Sequence, residues 1–333
     1  MERISVIGAG AWGTSLASLL AEKGLDVSLW AFEEDVVRGI RGERENRVFL
    51  PGITLPRGLK ATNSIEEALK GAGIVVCAVP SHFIRGVFGK AKALFSDGPV
   101  IVSAAKGIEE ETLLTPSGIL EDTLKGSIHG PLAVLSGPSF AKEVSLKLPA
   151  AVVAASKDEK AASIVQKTFS TPYFRVYTSA DVIGVELGGA LKNIIAIASG
   201  ISDGLKLGNN ARAALITRGL AEITRLGARL GANALTFSGL SGLGDLVLTC
   251  TGPLSRNYTV GVQLGEGKGI KEITGKMKMV AEGVKTSRAA VMLSRKNGVE
   301  MPITEAVHNI IYDGKPPKEA VYELMTRDLK GEL

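Results

Sequence analysis

A glycine-rich turn directly after the first β-rich run constrains the fold more than any other feature of the chain. Residues 4–7 read Ile-Ser-Val-Ile, and Gly8-Ala9-Gly10-Ala11-Trp12-Gly13 follows them. Apolar side chains at helical spacing come next and stop at Gly24, a typical helix end. This order predicts a dinucleotide site, in which Gly8 permits the turn, Gly10 and Ala11 approach a pyrophosphate at the helix start, and Gly13 packs on the sheet.

The first half of the chain alternates short apolar runs with helical stretches. Further strand-like runs occupy residues 27–30, 74–79, 100–103, 133–135, 151–155 and 174–178. Near-continuous apolar strands separated by helices are typical of a parallel sheet covered on both faces. We therefore expect an α/β fold with a doubly wound, Rossmann-type parallel sheet at the N-terminus.

The second half is expected to be all-α. Residues 186–201 are apolar on almost every side, which indicates a core helix, and residues 210–230 predict a second long helix capped by Asn209 or Asn210. We place a dinucleotide-binding domain over residues 1–181 and a helical catalytic domain over residues 182–333. Long apolar helices also make a homodimer the expected assembly.

Charge and cysteine content narrow the possible partners. The 39 basic residues exceed the 34 acidic ones by a formal +5, but they are scattered, which argues against nucleic acid. Cys77 and Cys250 lie far apart without metal-ligand spacing and are expected to be reduced. No signal sequence or uninterrupted apolar run of membrane length is evident. We expect a cytoplasmic protein with a small-molecule substrate, no metal and no membrane span.

The corner after the second strand bears on the choice of cofactor. This segment reads Ala31-Phe32-Glu33-Glu34. At this corner of dinucleotide-binding folds, a carboxylate accepts hydrogen bonds from the ribose hydroxyls of NAD, whereas an arginine binds the 2′-phosphate of NADP. Phe32 and Glu33 are candidate cofactor contacts that favour NAD over NADP on electrostatic grounds. Arg38, Arg41 or Arg47 could fold back and reverse this preference.

Two lysines are candidates for chemistry. Lys106 follows a strand, at the sheet edge where ligands of open α/β folds bind. Lys192, with Asn193, interrupts the apolar run of residues 186–201. Burying a lysine without compensating its charge costs several kcal/mol, so a lysine at this position indicates a functional role. Burial lowers a lysine's pKa, so Lys192 could exchange a proton with a substrate hydroxyl.

Two segments further along supply polar groups. Asp245 follows Gly242-Leu243-Gly244 at a helix start, and Thr249 lies one turn later on the same side. Ser255-Arg256-Asn257 begins another helix, where amides, a hydroxyl and a guanidinium can together hold a phosphate.

Over essentially its whole length the chain resembles bacterial NAD(P)-dependent glycerol-3-phosphate dehydrogenases. The matching segments occur in the family's order: residues 8–13, Lys106-Gly107, Ser136-Gly137-Pro138-Ser139, residues 186–193, residues 200–204, residues 208–219, residues 242–246 and residues 255–257. Family members often carry arginine where Phe32 stands, which places NADP preference in doubt.

The resemblance implies an oxidoreductase that reduces dihydroxyacetone phosphate to sn-glycerol 3-phosphate for glycerophospholipid synthesis. It implies that Lys192 is the general acid/base, oriented by Asp245 and Thr249 with Asn193 nearby. The remaining implied contacts are, for substrate, Lys106, Gly137, Ser139, Ser255, Arg256 and Asn257, and for cofactor, Trp12, Lys106, Ala141, Arg256, Val280 and Glu282.

Two other readings stay open at this stage. A β-hydroxyacid dehydrogenase combines a similar first domain with a helical one and a catalytic lysine, but it requires a carboxylate site. A non-enzymatic NAD(H)-binding redox sensor is the alternative from another class, although it has no use for a buried lysine.

Overall fold

The computed structural model describes residues 3–95, 98–127, 130–277, 281–329 and 331–332. Within these ranges eight strands form one sheet in the order β3-β2-β1-β4-β5-β6-β7-β8. The strands are β1 Arg3–Ile7, β2 Val27–Trp30, β3 Lys60–Thr62, β4 Ala72–Cys77, β5 Val100–Ser103, β6 Leu132–Ser136, β7 Ala150–Ser156 and β8 Phe174–Ser179.

The sheet confirms the predicted α/β class, with two differences in detail. Strand β3 was not predicted, because it has only three residues and begins with an exposed lysine. Strand β7 runs antiparallel to β6, whereas a wholly parallel sheet was expected. The connection between them contains only the five-residue helix α6, which is too short to return the chain to the opposite end of the sheet.

In the described part of the chain up to β8, seven α-helices accompany the sheet, and strand order reverses at β1. From β1 the chain extends to β2 and β3 on one side and then crosses to β4 on the other, so the glycine turn after β1 lies at the topological switch point. These helices are α1 Ala11–Glu22, α2 Glu34–Glu43, α3 Ile65–Leu69, α4 Ser81–Lys90, α5 Pro116–Thr123, α6 Ala141–Ser145 and α7 Glu159–Phe169.

Beyond β8 the described chain is helical. Its helices are α8 Val182–Gly204, α9 Gly208–Arg229, α10 Asp245–Thr251, α11 Arg256–Gly265, α12 Ile270–Gly275, α13 Glu282–Lys296, α14 Pro302–Tyr312 and α15 Pro317–Met325. The predicted asparagine cap of α9 is wrong. Leu207 is the N-cap residue without a side-chain bond, while the Asn209 side chain accepts a hydrogen bond from Arg212 instead.

Helix α8 is the centre of the helical part. Its length and hydropathy would allow it to cross a membrane, but 94% of the apolar window is buried inside the fold, as in the core helix of a globular protein. Glycines let α11 approach it closely: a Cβ on Gly200 would stand 2.1 Å from the carbonyl oxygen of Tyr258, and one on Gly261 would stand 2.1 Å from that of Ile197. This contact brings the first turn of α11 beside the middle of α8.

A buried glutamate joins α8 to the sheet part. Glu186, in the first turns of α8, accepts hydrogen bonds from the Ser117 amide at 2.8 Å, the Ser117 hydroxyl at 2.5 Å and the Thr115 hydroxyl at 2.6 Å. It thereby supplies the carboxylate at the N-terminus of α5, where the helix dipole favours negative charge. Burial raises its pKa, although these hydrogen bonds oppose that effect.

We predict that Glu186→Ala lowers the free energy of unfolding by roughly 2 kcal/mol, because it leaves three buried donors without an acceptor. Urea denaturation followed by circular dichroism measures the change. Glu66→Ala is the matched control, since this exposed glutamate lies in the first turn of α3. Equal stability of the two variants would contradict the proposed tether.

Candidate active site

A carboxylate from α10 lies between two lysines from different parts of the fold. Asp245 Oδ1 accepts a hydrogen bond from Lys192 Nζ at 2.7 Å, and its Oδ2 accepts one from Lys106 Nζ at 2.5 Å. Lys192 Nζ also donates to Thr249 Oγ1 at 2.6 Å, and the Thr249 hydroxyl donates to the Asp245 carbonyl oxygen at 2.6 Å. Three of the four predicted catalytic side chains, Lys192, Asp245 and Thr249, are therefore joined by hydrogen bonds, and Lys106 joins them through Asp245.

Burial and the neighbouring charges together shift the pKa values of Lys192 and Asp245. The side chains of Lys192 and Asp245 are 8% and 2% exposed. Burial lowers the pKa of Lys192 from 10.5 to about 8, against the opposing effect of Asp245 and with a further decrease from the charge of Lys106. Burial alone would raise the pKa of Asp245, but the two lysines together hold it below its usual value.

Tight backbone packing places Asp245 against α8. A π-helical turn, Leu240–Gly244, leads into α10. A Cβ on Gly188 of α8 would stand 2.5 Å from the carbonyl oxygen of Ser241, and one on Gly242 would stand 2.1 Å from that of Phe237. Because side chains are excluded at both contacts, the start of α10 reaches the lysine on α8 directly.

The first turn of α11 forms the next part of the site. Ser255 is its N-cap, and the serine hydroxyl accepts a hydrogen bond from the Tyr258 amide at 3.2 Å. The Asn257 amide nitrogen donates to Asn193 Oδ1 at 2.9 Å, and its oxygen accepts from the Gly283 amide at 3.0 Å. Asn193 and Asn257 are buried beside Lys192, whereas Arg256 makes no hydrogen bond or ion pair within the described ranges.

The loop after β6 faces Lys106. The Gly137 carbonyl oxygen accepts hydrogen bonds from Lys106 Nζ at 3.3 Å and from the Ser139 hydroxyl at 3.0 Å. Gly137 has φ +146°, and a Cβ there would stand 2.9 Å from Val152 Cα, so only glycine fits. Lys106 therefore bridges the loop after β6 and Asp245 of α10.

The glycine turn leaves room for a ligand. Gly8 has φ +113°, a Cβ on Gly13 would meet the Gly8 carbonyl oxygen at 1.9 Å, and nothing lies within 4 Å of a Cβ on Gly10. Ala11 begins α1 beside this open space, and the buried indole N–H of Trp12 has no hydrogen-bond partner among the described residues. Open backbone at a helix start together with an unpaired donor fits a dinucleotide pyrophosphate.

The corner after β2 is acidic and exposes an aromatic ring. Phe32 is 81% exposed, and Glu33 is the N-cap residue of α2 without a side-chain cap bond. The three arginines that could meet a 2′-phosphate have other partners. Arg38 lies 3.8 Å from Glu34, Arg41 donates to the Ala61 carbonyl oxygen at 2.7 Å, and Arg47 pairs with Glu43 and Glu45.

The start of α13 contributes Glu282. Burial raises the pKa of its carboxyl group to about 7, against the opposing effects of Arg256, Lys106, Lys192 and the Ser81 amide at the start of α4. The sequence did not single out Ser81 as a partner, because a backbone amide leaves no signal in a sequence. Val280, a predicted cofactor contact, lies outside the described residues.

Ala141, the other cofactor contact that the resemblance implies, begins α6. Its carbonyl oxygen accepts a hydrogen bond from the Ser15 hydroxyl of α1 at 3.1 Å, which joins α6 to the helix of the glycine turn. Within the described ranges, no group of three or more His, Cys, Asp or Glu side chains could hold a metal ion. The contacts of Lys192 with a buried carboxylate and a hydroxyl form an arrangement that can hold and move a proton.

Comparison with known proteins identifies this architecture. Residues 3–162 match the family model for the N-terminus of NAD-dependent glycerol-3-phosphate dehydrogenase, and residues 181–322 match the model for its C-terminus. Glycerol-3-phosphate dehydrogenase (NAD(P)+) of Geobacter sulfurreducens is 58% identical over 331 residues, which is 99% of each chain.

Solved structures agree with this result. Glycerol-3-phosphate dehydrogenase from Coxiella burnetii is 42% identical with a TM-score of 0.94, covering 98% of this chain and 99% of that one. The yeast glycerol-3-phosphate dehydrogenase is 28% identical with a TM-score of 0.83, at 98% and 99% coverage. This chain therefore belongs to the NAD-dependent glycerol-3-phosphate dehydrogenase family.

Proposed function

We propose that the chain catalyses the NAD(P)-dependent interconversion of dihydroxyacetone phosphate and sn-glycerol 3-phosphate, with Lys192 as general acid/base. The single observation that carries this proposal is the buried contact of Lys192 with Asp245 and Thr249 at the crevice that Lys106 reaches from the sheet. The product is the backbone alcohol of glycerophospholipids, so the reaction supplies lipid synthesis.

The proton step follows from the lysine's surroundings. A dinucleotide held by its pyrophosphate at the glycine turn would supply a hydride from its nicotinamide. The ammonium form of Lys192 donates a proton to the ketone oxygen as it gains negative charge, and the free amine accepts that proton in the reverse direction. Asp245 and Thr249 hold the amine in place, while Lys106 adds a second positive charge beside the developing oxyanion.

The substrate phosphate is assigned to the start of α11. Ser255, Arg256 and Asn257 supply a hydroxyl, a guanidinium and an amide where the helix dipole favours an anion. Among the described residues, none is hydrogen-bonded to the Arg256 guanidinium. Asn193 holds Asn257 in place from α8. A carboxylate substrate of a β-hydroxyacid dehydrogenase would leave part of this donor set unused, which favours the phosphate ester.

The wider setting is also part of the proposal. We assign residues 1–181 to cofactor binding and residues 182–333 to substrate binding and catalysis, with Asp181 as the N-cap of α8 between them. We further propose a homodimer in the cytoplasm, which suits the free, buried thiols of Cys77 and Cys250.

We predict that Lys192→Met lowers kcat for dihydroxyacetone phosphate reduction by roughly 10²- to 10⁴-fold, the usual contribution of a positioned acid. In the wild type, reduction requires the ammonium form, so its rate falls as the pH rises through about 8, whereas oxidation of glycerol 3-phosphate rises through the same range. Absorbance of NADH at each pH measures both directions. Parallel pH profiles for the two directions would contradict this assignment.

We predict that Arg256→Gln weakens selection for the phosphate group. The ratio of kcat/KM for dihydroxyacetone phosphate to that for dihydroxyacetone should fall by roughly 10- to 100-fold, because one charge-assisted contact contributes about 1.5–3 kcal/mol. Arg229→Gln, at an exposed arginine in the last turn of α9, is the matched control. The proposed phosphate site is wrong if both variants retain the wild-type ratio.

We predict a preference for NADH over NADPH, because the Glu33 and Glu34 carboxylates repel a 2′-phosphate and Arg38, Arg41 and Arg47 have other partners. Fluorescence titration of the free protein should give a Kd for NADH about tenfold below that for NADPH. Phe32→Arg should bring the Kd values for NADH and NADPH closer together, because it adds a positive charge for the 2′-phosphate. Phe32→Leu is the control for loss of the aromatic ring alone. Tighter binding of NADPH by the wild type would overturn this preference.

A further inference from the structure

The loop that carries Lys106 belongs by sequence to the sheet part but packs against both parts of the fold. We call residues 104–115, between β5 and α5, the Lys106 loop. Ile108 is buried within the apolar core of the helical part, and Leu113 packs against that same core. Leu114 packs instead on the core beside β4 and β5. The position of this loop therefore determines how Lys106 meets α10.

One ion pair anchors the loop to the sheet part. Arg85 of α4 donates from Nε to Glu109 Oε1 at 3.0 Å and from Nη2 to Glu109 Oε2 at 2.8 Å. The Glu109 side chain is only 7% exposed and also accepts a hydrogen bond from the Thr112 hydroxyl. Paired parallel hydrogen bonds between a guanidinium and a carboxylate fix orientation as well as distance.

The backbone around Glu109 transmits that position to Lys106. The Glu109 amide donates to the Leu114 carbonyl oxygen at 2.9 Å, which closes the far side of the loop. Gly107, between Lys106 and Ile108, has φ +141°, and a Cβ there would stand 2.5 Å from Ser81 Oγ. Gly107 and Glu109 thus both lie against α4, and they confine the backbone next to Lys106.

We propose that Arg85 and Glu109 are positioning residues, whose ion pair sets the distance of Lys106 Nζ from Asp245 and so maintains the charge balance around Lys192. This inference rests on the proposed function, because it assigns Lys106 a role beside the acid/base. Neither residue is placed in contact with substrate; both act through Lys106.

Displacement of the Lys106 loop should shift the pH profile of dihydroxyacetone phosphate reduction. The charged or titratable groups that act on Lys192 from its surroundings are Asp245 and Cys250 on α10, Lys106 on its loop and Glu282 on α13. Lys106 lowers the pKa of Lys192, and it also competes for the Asp245 carboxylate. If the loop moves, both effects weaken and the pKa of Lys192 rises, so reduction persists to higher pH.

The test uses Arg85→Met and Glu109→Gln in the full chain. Each should lower kcat/KM for dihydroxyacetone phosphate by about tenfold, since small displacements of catalytic groups are costly, and should move the high-pH limb of reduction upward. Asp122→Asn is the matched control. Asp122 accepts a hydrogen bond from Arg85 Nη1 at 2.6 Å, but its side chain is 54% exposed and lies outside the Lys106 loop. The Asp122→Asn variant should therefore match the wild type in activity and pH profile.

A double-mutant comparison separates positioning from general stability. In a Lys106→Met background, Arg85→Met should cause little further loss, because the residue through which it acts is gone. Additive losses in kcat/KM, or a lower melting temperature with an unmoved pH limb, would overturn the inference and leave the proposed function standing. Absence of turnover in the wild type and in Asp122→Asn alike would instead reject the proposed function.

Discussion

The catalytic arrangement depends on one carboxylate that two lysines share across the crevice. Asp245 is almost fully buried, and charges in such a position are tolerated only when they are paired and hydrogen-bonded. Lys192 reaches it from the core helix α8 and Lys106 from the sheet loop, so the three groups carry a net positive charge. That excess suits a substrate with an anionic phosphate and a ketone oxygen that becomes negative as hydride arrives.

Glycine contacts make this sharing possible. Gly188 lets the turn before α10 lie against α8, and Gly242 lets that turn fold tightly on Phe237. Gly200 and Gly261 let α11 cross α8 backbone to backbone. One helix thereby presents Lys192 to Asp245 and Asn193 to Asn257, which joins the proton-transfer group to the assigned phosphate anchor. A fixed spacing between these two groups is what holds a three-carbon substrate in reacting position.

Sequence reasoning succeeded where local patterns carry the information. The glycine turn and the lysine inside an apolar helix are both unusual local patterns that can be recognised in a sequence. The fold confirms the strand–turn–helix order and the burial of Lys192. It failed where tertiary context decides. The direction of β7 depends on how the short connection through α6 packs, and α9 begins at Leu207 without a side-chain cap. The pairing of Arg85 with Glu109 joins segments that only folding brings together. The roles assigned to the site residues stay predictions.

The most direct measurement is the titration of Lys192 itself, by nuclear magnetic resonance of the protein labelled at the lysine side-chain carbons and assigned by comparison with Lys192→Met. Lys192 should give a signal that titrates near pH 8, well below the ordinary lysine pKa of 10.5. A Lys192 signal with its midpoint at that ordinary value would contradict the buried acid/base on which the proposed chemistry relies.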